Sequence, residues 1–127
     1  MKLIILGRGN AGCISAMHFA YYRKFLNTKV EIELIYDSKI KPVPTGQGTT
    51  LQFPDWLFKN FSSNYLNSFP ITKKTGIMYE NWGKKHKKIF HPFPLGRYAV
   101  HFNPEDFQNY VCKNLNIDFT EKDENIK

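Results

Sequence analysis

The chain opens with an apolar run that ends in three closely spaced glycines, and this feature constrains the fold most. Lys2–Leu6 reads K-L-I-I-L, and the pattern G-x-G-x-x-G follows at once with Gly7, Gly9 and Gly12. A strand, a tight glycine turn and a helix start, in this order, are typical of dinucleotide-binding βαβ units. Gly7 would let the chain turn sharply, Gly9 would leave room for a pyrophosphate, and Gly12 would let helix and strand pack closely. The alternative is a glycine-rich turn that binds nothing.

The residues after the turn predict a helix, a second strand and an acidic residue at its end. Asn10 and Ala11 lie within the glycine pattern, just before the predicted helix, whose first N–H groups have no intrahelical partners and favour an anion. Residues 13–26 carry apolar side chains at helical spacing, and residues 30–36 largely alternate apolar and acidic side chains, as a strand does. Asp37 follows this strand, a position from which an acid can bind a ribose hydroxyl. The alternative for Asp37 is an ordinary turn or cap residue.

A loop rich in proline and glycine comes next. Residues 41–50 read K-P-V-P-T-G-Q-G-T-T, and the two prolines and two glycines exclude a helix or a central strand. The backbone N–H groups of this compact loop could wrap around a flavin or an anion. The alternative is a plain surface connection.

The rest of the chain predicts short elements, without an internal repeat or a second domain. We expect a helix over residues 54–61, a loop over 62–68 and a strand within 75–82. Asn103, followed by a proline and two acids, is a strong helix start. Residues 117–119 could begin a further strand. In all, we expect about four strands and three helices.

The composition fits one folded domain and favours neither a membrane nor a nucleic-acid role. The 127 residues are 42% hydrophobic and carry a net charge of +7. Four of these charges belong to lysines within residues 84–88, so the rest of the chain is only weakly basic. No apolar run approaches the roughly 20 residues that span a bilayer, and the start lacks a signal-peptide pattern. We expect a cytoplasmic protein without a bound metal, in which Cys13 and Cys112 stay reduced.

Five sequence blocks occur in a fixed order along nearly the whole chain. They are G-R-G-N-A-G-C at residues 7–13, L-I-Y-D-S-K-I at 34–40, V-P-T-G-Q-G-T-T at 43–50, K-T-G-I-M-Y-E-N-W at 74–82, and H-P-F at 91–93 followed by H-F-N-P-E-D-F at 101–107. Together the blocks resemble the flavin-dependent tryptophan halogenases. The corresponding patterns of that family include G-x-G-x-A-G-W, L-I-E-S-x-x-I, V-G-E-G-T and K-L-G-I-R-F-x-N-W.

The resemblance implies both a fold and a reaction. The fold would be α/β, the N-terminal part of a doubly wound, Rossmann-type FAD-binding domain like that of the flavin monooxygenases. Reduced FAD from a separate flavin reductase, O2 and a chloride or bromide ion would give hypohalous acid, which halogenates tryptophan, an indole or another aromatic ring. The implied cofactor-binding residues are Gly7, Gly9, Asn10, Ala11, Gly12, Asp37, Gly46, Gln47, Gly48 and Thr49.

The resemblance also assigns a catalytic role to Lys74, as the lysine that positions or carries the electrophilic halogen. The chemistry agrees, because an ammonium can hydrogen-bond hypohalous acid and a neutral amine can form a haloamine, whereas arginine is rarely deprotonated. Strand alternation would point the neighbouring Lys73 to the opposite face. The alternative for Lys74 is a solvated surface lysine.

Two departures from the family pattern bear on these expectations. Gln47 stands where the family usually has a glutamate. The family is several times longer, and its W-x-W-x-I-P signature and second active-site acid lie far downstream. We therefore expect an N-terminal piece, an incomplete FAD-binding domain over residues 1–127, inactive alone and completed by the remaining halogenase segment in trans. The alternatives are part of another FAD- or NAD-dependent oxidoreductase, or a non-enzymatic module that binds a polyanion through residues 84–88.

Overall fold

A computed structural model describes residues 1–85 and 87–122 and arranges them as small sheets packed with helices. The elements in chain order are β1 (Lys2–Leu6), α1 (Asn10–Phe25), β2 (Glu31–Tyr36), β3 (Gln47–Gly48), α2 (Phe53–Phe61), a 3-10 turn (Ser62–Asn64), α3 (Tyr65–Ser68), β4 (Ile71–Lys74), β5 (Gly76–Glu80), β6 (Lys88–Pro92), β7 (Ala99–Phe102), α4 (Pro104–Asn114) and β8 (Asp118–Glu121).

The first sheet is parallel, with β2 between β1 and β8. Leu34 of β2 pairs with Ile5 on one side and with Phe119 on the other. Parallel neighbours need a crossover connection, which α1 supplies between β1 and β2. The carboxyl ends of the three strands therefore lie at one edge of the sheet, and the glycine turn leaves from this edge.

One face of the parallel sheet packs against the helices to form an apolar core. Leu34 on β2, Met17 on α1 and Phe107 on α4 are all buried within it. The ring of Phe107 lies 4.9 Å from the ring of Phe102 and 5.5 Å from that of Phe53, measured between centroids. Burial of such apolar surface, worth about 25 cal/mol per Å², is the main favourable term in this fold.

The opposite face of the parallel sheet is more exposed and mixes charged with apolar side chains. Lys2 Nζ lies 2.7 Å from a carboxylate oxygen of Glu33, and this hydrogen bond lowers the pKa of Glu33. Ile4, which lies two residues after Lys2 and pairs with Glu33, is 51% exposed. The helices described in the structure thus cover one side of this sheet.

A second sheet is antiparallel, with β7 between β3 and β4, and β5 and β6 form a separate hairpin. Val100 and Phe102 of β7 turn into the core, while His101, which alternates with them, is exposed. In the hairpin, Lys88 Nζ and a Glu80 oxygen form an ion pair at 2.9 Å. Both sheets pair strands that lie far apart in the sequence, such as β2 with β8 and β3 with β7.

Several predicted elements are confirmed. Asn103 caps α4, because its Oδ1 accepts a hydrogen bond from the N–H of Glu105 at 2.8 Å and Pro104 takes the first helical position. The predicted helix at residues 54–61 corresponds to α2, and the strand expected at 117–119 corresponds to β8.

The two cysteines lie on different helices. Cys13 on α1 is fully buried, Cys112 on α4 is half-buried, and both are free thiols in the structure. Among the residues that the structure describes, no helix is long and apolar enough to cross a bilayer.

Other predictions about the elements are wrong. The first helix begins at Asn10 instead of residue 13, since its first turn lies before the apolar stripe on which the prediction depended. Residues 62–68, expected as a loop, are helical, and the buried ring of Tyr65 holds them on the core. The strand predicted within residues 75–82 is present as β5, but a further strand, β4, precedes it and ends at Lys74, where the sequence pattern predicts no strand. The described residues form eight strands, twice the number expected, since short strands depend on partners distant in sequence.

Candidate functional site

The turn after β1 has the backbone geometry that its glycines predict. Gly7 has a φ of +96°, a region that other residues rarely enter, and its N–H donates to Ile35 O at 2.8 Å. A Cβ added to Gly12 would lie 1.9 Å from Gly7 O, so the helix and the turn touch through bare backbone. A Cβ added to Gly9 would meet no described atom within 4 Å. The turn therefore leaves open space beside Gly9, as the approach of a phosphate to the backbone requires.

Asn10 begins α1, and a buried side chain holds it in place. Gln108 Nε2 on α4 donates to Asn10 Oδ1 at 2.9 Å, and Gln108 is only 5% exposed. The first turn of α1, which includes the exposed Ala11, carries no acidic side chain, and the cap residue Gly9 makes no side-chain hydrogen bond. No side chain of the first turn therefore neutralises the positive end of the helix dipole, and this end can attract an anion.

The segment of residues 46–49, here called the β3 segment, is held by pairing along β7. Thr49 binds Val100 twice, because its N–H donates to Val100 O and its Oγ1 accepts from the Val100 N–H, both at 3.0 Å. The side chain of Gln47 folds back on its own loop, where Nε2 donates to Thr45 O at 3.2 Å. Gly46 is exposed. β3 lies at the edge of its sheet, in agreement with the prolines and glycines of residues 41–50, which exclude a central strand.

The β3 segment and the start of α1 line one cavity of about 270 Å³. Asn10 and Ile14 form its helical wall, residues 47–50 form the opposite wall, and the rings of Phe53 and Phe102 complete it. The structure therefore brings together Asn10 and the β3 segment, which lie far apart in the sequence. The cavity opens beside the glycine turn, which precedes Asn10 directly.

Asp37 lies one residue beyond β2, at the same carboxyl edge of the sheet. Its Oδ1 accepts a hydrogen bond from the N–H of Lys39 at 2.8 Å. Asp37 thus makes the contact of an ordinary turn residue, which was the alternative to a ribose-binding role. The preceding Tyr36 stacks under the guanidinium of Arg8, whose Cζ lies 4.6 Å from the ring centroid. A carboxylate has acceptor positions for more than one donor, so the turn contact and a ribose contact are compatible.

Lys74 and His101 lie on one face of the antiparallel sheet, beside Gly48. Gly48 pairs with His101, and Lys74 pairs with Ala99 two positions away on the same strand. A Cβ on Gly48 would lie 3.2 Å from His101 Cε1 and 4.0 Å from Lys74 Nζ, so both side chains reach the β3 segment. Lys74 Nζ also lies 5.6 Å from the centre of the Phe93 ring, which attracts a cation.

Lys73 takes the other face of β4, as alternation along a strand requires. Its Nζ lies 4.6 Å from the ring centroid of Tyr98, and its side chain is exposed. Of the two adjacent lysines, the half-buried Lys74 is the one beside the β3 segment.

Sequence reasoning missed two residues of this region, Gln108 and His101. Nothing in the local pattern links Gln108 to Asn10, which lies 98 positions away along the chain. His101 stands in one of the five blocks, but the sequence does not indicate that it pairs with Gly48. Within the described ranges, no group of three His, Cys, Asp or Glu residues is arranged to hold a metal ion.

A larger groove, of about 760 Å³, lies away from these residues. It runs along the amino ends of β2 and β8 and is lined by polar and basic side chains that include Arg23 and Lys29. Ligands of open parallel sheets bind at the carboxyl ends of the strands, and none of the predicted site residues lines this groove. The smaller cavity beside the glycine turn is therefore the candidate site.

The parallel βαβ unit, with its glycine turn and bare helix start at the carboxyl edge, defines the Rossmann-type class of α/β folds. The sequence model of the tryptophan halogenase family matches residues 2–126, nearly the whole chain. The chain therefore belongs to the tryptophan halogenase family, and the resemblance drawn from the five blocks is confirmed. A search of curated proteins gave no significant match.

Three solved structures with a similar fold are halogenases. A tryptophan halogenase from Shewanella frigidimarina superposes with a TM-score of 0.77 at 18% identity, over 95% of this chain and 36% of that one. The tryptophan 6-halogenase from Streptomyces toxytricini gives 0.76 at 16%, over 96% and 35%. A flavin-dependent halogenase from Xanthomonas campestris gives 0.76 at 17%, over 94% and 34%. The α/β fold is thus confirmed, and this chain spans about a third of the length of each of these structures.

Proposed function

We propose that this chain supplies the flavin-binding part and the halogen-handling lysine of a flavin-dependent halogenase. One observation carries the proposal: Gly48 lies in the β3 segment, which shares a cavity with the start of α1, and both Lys74 and His101 reach it. A dinucleotide seated on the glycine turn would end near this segment. The lysine and the cofactor would then act from opposite sides of the same short strand.

The residues of the turn fit FAD. The glycine turn of residues 7–12 would hold the pyrophosphate through N–H groups beyond that of Gly7, which already donates to Ile35 O. Gly9 leaves open space for the phosphate, and Gly12 keeps helix and turn in contact. Asp37 would accept a hydrogen bond from a ribose hydroxyl. Gly46, Gln47, Gly48 and Thr49 would lie along the flavin ring, with the neutral amide of Gln47 in place of a carboxylate.

Bound reduced FAD, with O2 and chloride or bromide, would supply hypohalous acid. Lys74 would then hold this small molecule by hydrogen bonding or take the halogen as a haloamine, next to the aromatic ring that reacts. The Phe93 ring, 5.6 Å from Nζ, would limit the directions in which the amine can swing.

Further components belong to the proposal. A separate flavin reductase would provide the reduced cofactor, and the substrate would be tryptophan, an indole or a related aromatic molecule. Because the chain spans about a third of the related structures, we propose that further protein segments complete the substrate pocket. A cytoplasmic location stays a prediction.

A flavin titration tests the cofactor site. FAD binding, followed by quenching of flavin fluorescence, should be roughly tenfold weaker or worse in Asp37→Ala, since hydrogen bonds to charged groups are worth about 1.5–3 kcal/mol. Gly9→Val should remove binding by filling the open space of the turn. Asp118→Ala, an exposed acid at the amino end of β8, is the matched control and should bind like the wild type. Unchanged affinity in both site variants would disprove the cofactor site.

The role of Lys74 needs a halogenating assembly that contains this chain. Lys74→Ala should abolish formation of the halogenated product while reduced FAD is still oxidised by O2, because flavin and lysine act at separate steps. Lys73→Ala, on the opposite face of β4, should keep nearly full activity. Product formation by the Lys74 variant would show that this lysine has no chemical role.

A further inference from the structure

Two cysteines from different helices meet behind the glycine turn. Cys13 on α1 is fully buried, and its Sγ lies 3.4 Å from Arg8 O, the acceptor of its hydrogen bond. Cys112 on α4 is half-buried, and α1 and α4 pack against each other. Gln108 Nε2 on α4 donates to Asn10 Oδ1 on α1 at 2.9 Å, and Cys112 and Cys13 lie one helical turn beyond these two residues. The two thiols are therefore neighbours and interact with each other, and Cys112 also interacts with the Arg8 guanidinium. A nucleophile, a second sulfur and a fixed positive charge thus form one cluster.

The surroundings of the two thiols give them different pKa values and therefore different reactivities. The hydrogen bond with Cys13 and the charge of Arg8 lower the pKa of Cys112 to about 7, although burial raises it. The same hydrogen bond and burial raise the pKa of Cys13. Near neutral pH, Cys112 is therefore the reactive thiolate and Cys13 is the buried thiol beside it.

We propose that Cys112 and Cys13 form an oxidation-sensitive pair, which hydrogen peroxide converts into a disulfide between α4 and α1. The Cys112 thiolate attacks one peroxide oxygen, giving a sulfenic acid and hydroxide, which takes up the proton that Cys112 had released. The Cys13 sulfur then attacks the Cys112 sulfur, the S–S bond forms, and the hydroxyl group leaves with the Cys13 proton as water. Two thiols are oxidised and one peroxide is reduced to two waters.

The exposure of the two cysteines supports this order of events. Peroxide is small enough to reach the half-buried Cys112. Cys13, at 0% exposure, can react only with the adjacent sulfur of Cys112. The family pattern quoted above has a tryptophan at the position of Cys13, so the pair is a feature of this chain's own residues. The proposal does not depend on flavin binding.

Peptide mapping of the full chain tests the proposal. Trypsin releases residues 9–23 and 98–113, and each of these peptides contains one of the two cysteines. After brief treatment with hydrogen peroxide and capping of the remaining thiols with N-ethylmaleimide, the two peptides should appear linked and separate again on reduction. The rate should rise roughly tenfold between about pH 6 and about pH 8, as the Cys112 thiolate forms.

Variants distinguish the two positions. Cys13→Ser should leave Cys112 as a sulfenic acid that dimedone traps, and Cys112→Ser should leave Cys13 unoxidised; melting by circular dichroism checks that both fold. Arg8→Gln should shift the pH dependence of the reaction upward. Oxygen added to Cys112 in the wild type without linked peptides, or links between chains instead of within one, would overturn the proposal.

Discussion

Replacing Gly12 by alanine should destabilise the protein, although alanine favours helices. The added Cβ would stand 1.9 Å from Gly7 O and 3.0 Å from Gly7 C, and the turn cannot easily retreat because Gly7 N–H binds Ile35 O at 2.8 Å. Carbon and oxygen need about 3.3 Å, so the helix or the turn must move by more than 1 Å. Such overpacking costs about 3 kcal/mol at the upper end of its usual range. Alanine regains at most about 1 kcal/mol of helix propensity.

The expected net loss is about 2 kcal/mol of the free energy of unfolding, or a fall in Tm of about 7 °C for a chain of this size. Urea and thermal unfolding followed by far-UV circular dichroism measure both quantities. Gly9→Ala is the control, because Gly9 has a φ of −65° and its added Cβ would meet no described atom within 4 Å. It should stay within about 0.5 kcal/mol of the wild type. Equal stability of Gly12→Ala and wild type would refute the close contact of helix and turn.

Gln108→Leu leaves Asn10 Oδ1 without its buried partner and should cost about 1–3 kcal/mol in urea unfolding; a neutral result would contradict that contact. Phe107→Ala removes a ring that is 0% exposed and should cost about 3–5 kcal/mol, whereas Phe58→Ala, at a ring 60% exposed, should cost about 0.5 kcal/mol. Iodoacetamide should alkylate Cys112 faster as the pH rises through its pKa of about 7, since only the thiolate reacts; a midpoint near about 8.5, as in the urea-unfolded chain, would speak against the cluster. This chain alone, given reduced FAD, O2, halide and tryptophan, should form no halogenated product detectable by mass spectrometry.

Elements whose causes lie within a few neighbouring residues could be predicted from the sequence. The start of α4 needs only Asn103 and Pro104, because a cap binds the N–H groups of the next turn. The glycine turn is equally local, since Gly12 meets Gly7 five positions earlier. Family resemblance then added Lys74 and the β3 segment as candidates.

The arrangement of the candidate site could not be predicted, because it depends on pairing between distant segments. β3 has only two residues, and it exists because it pairs with β7 more than fifty positions later. The contacts of His101 with Gly48 and of Gln108 with Asn10 follow from the same long-range packing. Residues 62–68 look polar, yet they are helical, and Tyr65 among them is buried in a core built from distant segments.

Ile71 decides which of two neighbouring amines faces the β3 segment. It packs against the core at the start of β4, while the next residue, Thr72, is exposed. Because side chains alternate along a strand, this anchoring puts Lys73 on the face of Ile71 and Lys74 on the other. A slip of one residue would expose the isoleucine and exchange the two lysines. Ile71 thus sets the register of β4, and a one-residue insertion just before Lys73 would put Lys73 in the place of Lys74 while both lysines stayed in the sequence.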